Sequence, residues 1–172
     1  MLIRSFDESD RARLIDLTIE TFRPLFEDVY PMLVGEVVFA NQWGKWREDY
    51  HTEVGGLHDP SAHKFVAVAE VDGAIVGYTG WRVDLDSRYG CIEMLAVEPA
   101  HRRGHVGSAL CEHAFAQMRA LGAEMVEIRT GGDDFHAPAR GLYESLGCVQ
   151  YPTVAYYREL LSGDLPVSLT GS

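Results

Sequence analysis

The chain has 172 residues, 47% of them apolar and 24% charged, so it is long enough for one domain with a full core and too apolar to be disordered throughout. Its formal net charge of −11 argues against nucleic acid or an anionic membrane surface as the main partner, and is compatible with a cationic substrate such as an amine. No window is long enough to span a membrane, and the three cysteines lack metal or redox spacing, which favours reduced thiols in a cytoplasm.

The N-terminal third is predicted to be mainly helical, because apolar side chains recur there near helical spacing. In chain order we expect a strand over residues 2–6, a helix capped by Asp7 or Ser9 that ends or kinks at Pro24, a loop or broken turn over 25–34, and a second helix over about 35–54. Aromatic side chains on the second helix are typical of a core, but they also suit one wall of a substrate cleft.

An antiparallel meander is predicted next, because the apolar period changes to 2 from residue 65 onward. Its strands are expected over residues 65–71, 74–84 and 91–97. Asp72-Gly73 is a tight hairpin signal between the first two strands, and residues 86–90 form the second turn.

A basic turn containing glycine joins the meander to the next helix. Pro99 ends the strand because it has no N–H to donate, and Arg102-Arg103-Gly104-His105-Val106-Gly107 leads into a helix predicted over 106–121. The first N–H groups of a helix lack internal partners and carry partial positive charge, and the two arginines add fixed charge. The turn is therefore either a pyrophosphate site or an ordinary strand-to-helix connection with an exposed basic corner.

The C-terminal half continues with a strand, a helix and a last β region. These are expected over residues 124–130, 137–146 and 148–158, with a loop over 131–135. The strand should lie parallel to the last strand of the meander, since a helix connects the two. Residues 161–172 are polar with weak pattern, and we expect a flexible tail.

Two motifs in this order carry a family resemblance. The basic turn follows Val97-Glu-Pro99, and the later run His136-Ala-Pro-Ala139-Arg-Gly-Leu-Tyr143-Glu-Ser-Leu-Gly-Cys148 has the spacing of a second motif. With both, the chain resembles the Gcn5-related N-acetyltransferase (GNAT) superfamily over roughly residues 1–160, most strongly 65–150. It departs from that pattern at His105 (glycine in the family), His136 (asparagine) and Cys148 (phenylalanine).

The resemblance implies a single N-acetyltransferase domain over residues 1–160. Its expected fold is α+β, with a central, mixed but mostly antiparallel sheet of about seven strands, flanked by helices and splayed where the pantetheine of acetyl-CoA lies. Backbone groups near Leu95 and Val97 are implied to pair with pantetheine. The residues implied to contact acetyl-CoA are Leu95, Ala96, Val97, Arg102, Arg103, Gly104, His105, Val106, Gly107, Ser108, His136, Ala139 and Tyr143.

The resemblance also suggests the groups that handle protons. Tyr143 matches a tyrosine near the CoA sulfur that acts as general acid, the alternative being core packing on its helix. Glu93 is a candidate general base, the alternative being a solvated glutamate, and Glu127 is a second candidate. On a regular strand Glu93 shares a face with Leu95, opposite Met94. The seven histidines show no metal-ligand spacing, so no metal is expected.

The expected activity is transfer of an acetyl group from acetyl-CoA to a primary amine, directly within a ternary complex. The acceptor is expected to be a small cationic molecule, such as an aminoglycoside or a polyamine, or a protein amine. The alternatives are transfer of a longer acyl group, transfer to a hydroxyl, and a CoA-binding sensor module without turnover. The resemblance also allows a homodimer.

Overall fold

A five-stranded mixed sheet organises residues 1–160, which are the part of the chain that the computed structural model describes. The strands stand in chain order, antiparallel except for β4 and β5, which are parallel, as predicted for a helical crossover. The strands are β1 (Leu2–Ser5), β2 (Lys64–Val71), β3 (Ala74–Asp84), β4 (Tyr89–Val97) and β5 (Met125–Ile128).

Helices cover both faces of this sheet. They are α1 (Arg11–Pro24), α2 (Tyr30–Val34), α3 (Glu36–Trp43), α4 (Trp46–Gly55), α5 (Val106–Ala120) and α6 (Ala137–Ser145). One face packs against α1 and α4, through Leu14, Leu17, Val54, Leu57, Val66, Val68, Tyr78, Met94 and Ala96. The other face packs against α5, through two groups that include Ala67, Ala69, Val76, Trp81, Ile92, Leu110, Cys111, Ala114 and Met118.

The region between α1 and the sheet is more helical than its sequence suggests. Residues 25–34, predicted as a loop, are a π-helical turn (Leu25–Val29) followed by α2. Pro31 lies in the first turn of α2, where its missing N–H is not needed, so it does not interrupt the helix. The single helix predicted over 35–54 is two helices, α3 and α4, which separate at residues 44–45.

Aromatic rings hold this helical region together as a small core of its own. Phe26 stacks on Trp46 with ring centres 4.7 Å apart, and Tyr30 packs against Trp43 at 4.6 Å. Phe22 of α1 lies 6.2 Å from Phe135, which precedes α6. The aromatic side chains of α3 and α4 therefore contribute to a core, and Phe22 of α1 contacts the segment that leads into α6.

The prediction of a β region over residues 148–158 is wrong, because these residues form no strand. The sheet of the described residues therefore has five strands instead of about seven. The segment lies outside the sheet: Val149 is 95% and Tyr156 92% exposed. Pro152 offers no N–H to a ladder, and the ring of Tyr157 packs on Trp43 instead of on a strand (5.8 Å). The predicted tail, residues 161–172, lies outside the described residues. No helix within residues 1–160 is long and apolar enough to cross a membrane.

Candidate functional site

Strand β4 has an open edge along its second half. Its first residues, Tyr89–Ile92, pair in parallel with Met125–Ile128, and β5 ends there while β4 continues to Val97. Over residues 93–97, β4 therefore has β3 on one side and, among residues 1–160, no strand on the other. This open edge lies at the position where the resemblance implied that the sheet splays.

The backbone of β4 directs specific groups to this edge. The N–H of Glu98 donates to the Val76 carbonyl on β3 (2.9 Å). Because successive residues of a strand direct their backbone groups to opposite sides, Leu95 and Val97 direct theirs to the open edge. The Val97 carbonyl there accepts from Nε of Arg102 (3.2 Å). The backbone groups of Leu95 are thus in a position to add an extended amide-containing ligand to the sheet.

A β-bulge at Glu93 changes which side chains face the two sides of β4. Successive residues of β3 pair with Met94 and with Ile92, so Glu93 is an extra residue between them. Met94 packs in the core beside α1 and α4, Glu93 lines a cavity beside α4, and Leu95 packs toward α5. The prediction that Glu93 shares a face with Leu95, opposite Met94, is therefore wrong, because the bulge shifts the alternation by one residue.

The basic turn adopts an unusual backbone just before α5. Arg103 (φ 62°) and His105 (φ 61°) are both left-handed, and His105 is the residue that precedes the first turn of α5. The family's glycine is thus replaced at a position whose conformation favours glycine, while Gly104 is not left-handed. Residues 102–105 are exposed, and the N–H of Arg102 donates to the Pro99 carbonyl (3.4 Å), so the N–H groups of residues 103–105 and the two guanidinium groups are the donors left for an anion.

The first turn of α5 is tightly packed against α6. Val106 is buried and can offer a ligand only its backbone, whereas Gly107 and Ser108 are half-buried. A β-carbon on Gly107 would lie 3.0 Å from Cδ2 of Leu142, which fixes how closely the two helices approach. Glycine at this position therefore sets the distance between the basic turn and the helix that carries Tyr143.

Tyr143 lies on α6 beside the splayed strands. Its ring packs in the cluster that contains Leu95, Ile128 and Cys111, and its hydroxyl has no hydrogen-bond partner among the described residues. Burial, followed by the neighbouring thiols of Cys111 and Cys148, raises the pKa of Tyr143 above its ordinary value. The tyrosine is therefore protonated at neutral pH, the form that a general acid requires.

His136, at the start of α6, is held by a carboxylate that the sequence analysis had placed only in a loop. Its Nδ1 lies 2.8 and 2.9 Å from the two carboxylate oxygens of Asp133, and both side chains are more than four-fifths buried. Arg140 fixes the loop by donating to the carbonyl oxygens of Gly131 (2.6 Å) and Asp133 (2.7 Å). Ala139 and Tyr143 follow three and seven residues later, which places them on the same face of α6 as His136.

A cavity of about 270 Å³ lies on the α4 side of the bulge. Glu93 and Glu53 both line it, together with Thr52, Gly56, Leu57 and Lys64. One oxygen of Glu93 accepts from Nε of Arg82 (3.1 Å), and the other is buried with no partner among residues 1–160. Partial burial, followed by repulsion from Glu93 and Asp49, raises the pKa of Glu53. The cavity thus presents two carboxylates, one of which has an unused acceptor atom.

Glu127, the second candidate base, and the loop residue Asp84 lie outside this cavity. Glu127 accepts from the Tyr89 hydroxyl and from Nε of Arg129 (2.9 Å) and does not line the cavity. Asp84 caps its own turn by accepting from the backbone N–H groups of Asp86 (3.0 Å) and Ser87. Within the described part of the chain, no three His, Cys, Asp or Glu side chains converge as a metal site would require. A second cavity, of about 230 Å³ beside Trp81 and the end of α5, contains none of the predicted site residues.

Three residues of the site were missed by the sequence analysis: Glu53 and Arg82 entirely, and Asp133 as the partner of His136. Glu53 comes from α4, far from Glu93 in the chain, and Arg82 comes from the neighbouring strand β3, 11 residues before Glu93, so no local motif contains either of them. The spacing of Asp133 and His136, three residues apart before a helix, is the one local signal that was available.

A model of the acetyltransferase (GNAT) family matches residues 19–148 of this chain. The mycothiol acetyltransferase of Sanguibacter keddieii is 29% identical over 125 residues, which are 69% of this chain and 39% of that protein. The mycothiol acetyltransferase of Streptomyces coelicolor is 26% identical over 152 residues, 83% of this chain and 46% of that protein. The chain thus spans less than half the length of these two relatives.

Solved structures share the fold at low identity. The aminoglycoside 6'-N-acetyltransferase AAC(6')-IG of Acinetobacter haemolyticus superposes with a TM-score of 0.65 at 15% identity, covering 94% of this chain and 99% of that one. AAC(6')-Iy, in complex with the bisubstrate analogue CoA-S-monomethyl-acetylneamine, gives 0.62 at 15% identity, covering 93% and 98%. A ribosomal-protein-alanine N-acetyltransferase of Brucella melitensis gives 0.62 at 13% identity, covering 92% and 100%.

Proposed function

We propose that this chain, which belongs to the acetyltransferase (GNAT) family, moves an acetyl group from acetyl-CoA to the primary amine of a small cationic molecule. The observation that carries the proposal is that β4, around its bulge, offers a backbone edge to one ligand and a side chain to another. Its edge from residue 93 to residue 97 is open for an extended ligand, and the side chain of Glu93 lines a cavity that Glu53 also lines. Two ligands can therefore meet at one strand without occupying the same space, which is what direct transfer in a ternary complex requires.

The residues along the open edge suit acetyl-CoA. The backbone of Leu95 and Val97 would pair with the amide groups of pantetheine, as a strand pairs with its neighbour. The N–H groups of residues 104–108 and the side chains of Arg102 and Arg103 would hold the pyrophosphate at the start of a 15-residue helix. His136 and Ala139 would line the opposite wall, at the start of α6.

Two side chains would handle the protons of the transfer. Acetyl-CoA supplies the acetyl group as a thioester, and the amine nitrogen bonds to its carbonyl carbon while the carbon–sulfur bond breaks. Glu93 would take the proton that the amine loses, through the oxygen that has no protein partner. Tyr143 would give its hydroxyl proton to the sulfur as it leaves, and one Leu95 or Val97 N–H would stabilise the carbonyl oxygen. Glu93 would then release its proton to solvent and the tyrosinate would take one back, so that a neutral amine and acetyl-CoA give the amide, free CoA thiol and the enzyme in its starting form.

An unpaired carboxylate in the cavity and the charge of the chain support a cationic acceptor. Glu93 is paired with Arg82, but Glu53 lines the cavity with no ion-pair partner among the described residues, and the chain as a whole carries a formal net charge of −11. An aminoglycoside or a polyamine fits this description, and the aminoglycoside 6'-N-acetyltransferases among the structural neighbours support a small amine over a protein amine. A protein N-terminus remains the second acceptor class to assay, because a ribosomal-protein-alanine N-acetyltransferase has the same fold.

The test is release of CoA thiol from acetyl-CoA with kanamycin, spermidine or an alanine-initiated peptide as acceptor. We expect turnover with a cationic small amine, and a drop of about a hundredfold for Tyr143→Phe. Tyr151→Phe is the matched control, because Tyr151 is 87% exposed, and it should match the parent chain. Binding of acetyl-CoA without turnover on any amine, with no effect of Tyr143→Phe, would instead indicate a sensor module. Faster transfer from a longer acyl-CoA would mean that acetyl-CoA is not the preferred donor. Faster transfer to a hydroxyl would mean that the acceptor is not an amine.

A further inference from the structure

Arg82 contacts Glu93 in a way that uses only one of its carboxylate oxygens. Arg82 lies on β3 opposite Cys91, next to the bulge, and it binds Glu93, which lines the cavity on the α4 side of the sheet. Its Nε donates to Oε1 of Glu93 at 3.1 Å. Oε2 of Glu93 is buried and has no partner among the described residues. A buried carboxylate oxygen without a partner is unfavourable, so the site favours a ligand that donates a hydrogen bond there.

A second contact fixes the guanidinium of Arg82. Its central carbon lies 5.6 Å from the centre of the Tyr89 ring, within the range of a cation–π interaction. The Tyr89 hydroxyl donates to Glu127, which also accepts from Nε of Arg129 (2.9 Å). Burial, followed by the hydrogen bond to Glu127, raises the pKa of Tyr89, so this hydroxyl is a neutral donor. A connected row of side chains thus leads from Glu127 through Tyr89 and Arg82 to Glu93.

The bulge makes the orientation of Glu93 dependent on such a contact. An extra residue in a strand has no ladder partner and is less constrained than its neighbours. The side chain of Glu93 is 24% exposed, so it has room to rotate away from the cavity. Within residues 1–160, Arg82 is the cation at hydrogen-bond distance from it.

We propose that Arg82 is a positioning residue, which binds Oε1 of Glu93 so that Oε2 is presented to the acceptor amine. The proposal rests on the proposed function, in which Glu93 receives the amine proton. Arg82 itself does not contact the reacting atoms. Its removal should therefore lower kcat through Glu93 and leave the binding of acetyl-CoA unchanged, since the basic turn and the open edge of β4 do not involve Arg82.

The test compares Arg82→Ala, Glu93→Gln and the double variant, with spermidine as acceptor. We expect each single change to lower kcat by about tenfold to a hundredfold and to leave the Kd for acetyl-CoA within about twofold of the parent value. The double variant should have the same kcat as Glu93→Gln alone. Ethylguanidinium added to Arg82→Ala should restore activity several-fold, because Arg82 is 39% exposed and its vacated place is open to solvent. It should not do so in the double variant. Arg88→Ala removes the same charge from an exposed pair with Glu124 (2.7 Å) and should leave the rate unchanged.

The outcomes separate the two proposals. Parental kcat for Glu93→Gln would refute the base role of Glu93 in the proposed function. A large effect of Glu93→Gln with parental kcat for Arg82→Ala, or with independent effects in the double variant, would refute the positioning role alone. Should Arg82→Ala fail to fold, Arg82→Lys provides the same comparison, because it keeps the charge but not the Nε–H. A crystal structure of the folded variant is decisive without any turnover: a Glu93 side chain that keeps its position beside the cavity overturns the inference.

Discussion

Replacing Thr18 by valine is expected to destabilise the fold more than replacing its partner Tyr78 by phenylalanine. The Thr18 hydroxyl donates to the Leu14 carbonyl (2.7 Å), and its oxygen lies 2.6 Å from the Tyr78 hydroxyl. Thr18 has one hydroxyl proton, so Tyr78 must be the donor between them. Both residues are 0% exposed, and burial raises the pKa of Tyr78, which keeps its proton in place.

The two substitutions leave different groups behind. Thr18→Val removes the acceptor and leaves a buried Tyr78 hydroxyl without a partner, at a cost of about 2 kcal/mol. Tyr78→Phe removes the donor, while Thr18 keeps its bond to the Leu14 carbonyl, so only about 1 kcal/mol is lost. The double variant has no orphaned group and should lose about 1 kcal/mol, well below the sum of the two single changes.

Urea unfolding at pH 7 measures these free energies, and thermal unfolding gives a second readout. For a chain of this size, a loss of about 2 kcal/mol lowers Tm by about 4–8 °C. Equal effects of the two single changes, or additive effects in the double variant, would contradict the assignment of Tyr78 as donor. A changed m-value would mean that the variants differ in more than this hydrogen bond.

Three further changes test other parts of the structure. Asp10→Asn should lower the free energy of unfolding by about 2 kcal/mol at pH 7. Between pH 6 and pH 3, the urea midpoint of this variant should fall less than that of the parent chain. The hydrogen bonds from Arg4 lower the pKa of Asp10 in the folded chain, so their stabilisation is present above about pH 4 and is lost as the pH falls further; an unchanged acid dependence would contradict this. Gly131→Ala should separate the His136–Asp133 pair, because a β-carbon there would overlap both side chains, and should destabilise the chain by about 1–3 kcal/mol in urea unfolding. Gly132→Ala is its control, since nothing lies within 4 Å, and equal losses would refute the reasoning. His105→Gly should change the free energy of unfolding by less than about 1 kcal/mol, because glycine relieves the strain of the left-handed conformation but makes the unfolded chain more flexible. His105→Val should lower the free energy of unfolding by more than that. Two variants of indistinguishable stability would argue against strain at this turn.

The parts of the fold that were predictable from sequence depend on local chemistry. Asp72-Gly73 adopts two successive positive φ angles (51° and 81°), as a two-residue hairpin turn requires, and this turn fixes the pairing of β2 with β3. The start of α5 was equally predictable, because Pro99 ends a strand and a basic turn follows. In both places a few neighbouring residues determine the backbone.

The site was less predictable where its geometry depends on distant residues. The run from Cys91 to Val97 is apolar on both sides of Glu93, so no polar alternation reveals the bulge. Glu53 enters the cavity from a separate helix, and its position depends on how α4 packs on the sheet. Residues 148–158 have the composition of a strand, but composition does not specify a partner for the ladder, and the chain up to residue 160 provides none.

The bulge links two properties of β4 that are otherwise independent. Before Glu93 the strand belongs to a continuous ladder with β5; after it, the same strand has an edge available to a ligand. Removing one residue at this point would restore regular pairing with β3 and would also withdraw the carboxylate from the cavity. The position of the Glu93 carboxylate in the cavity and the shifted side-chain alternation of β4 are thus gained or lost together, by insertion or deletion of one residue.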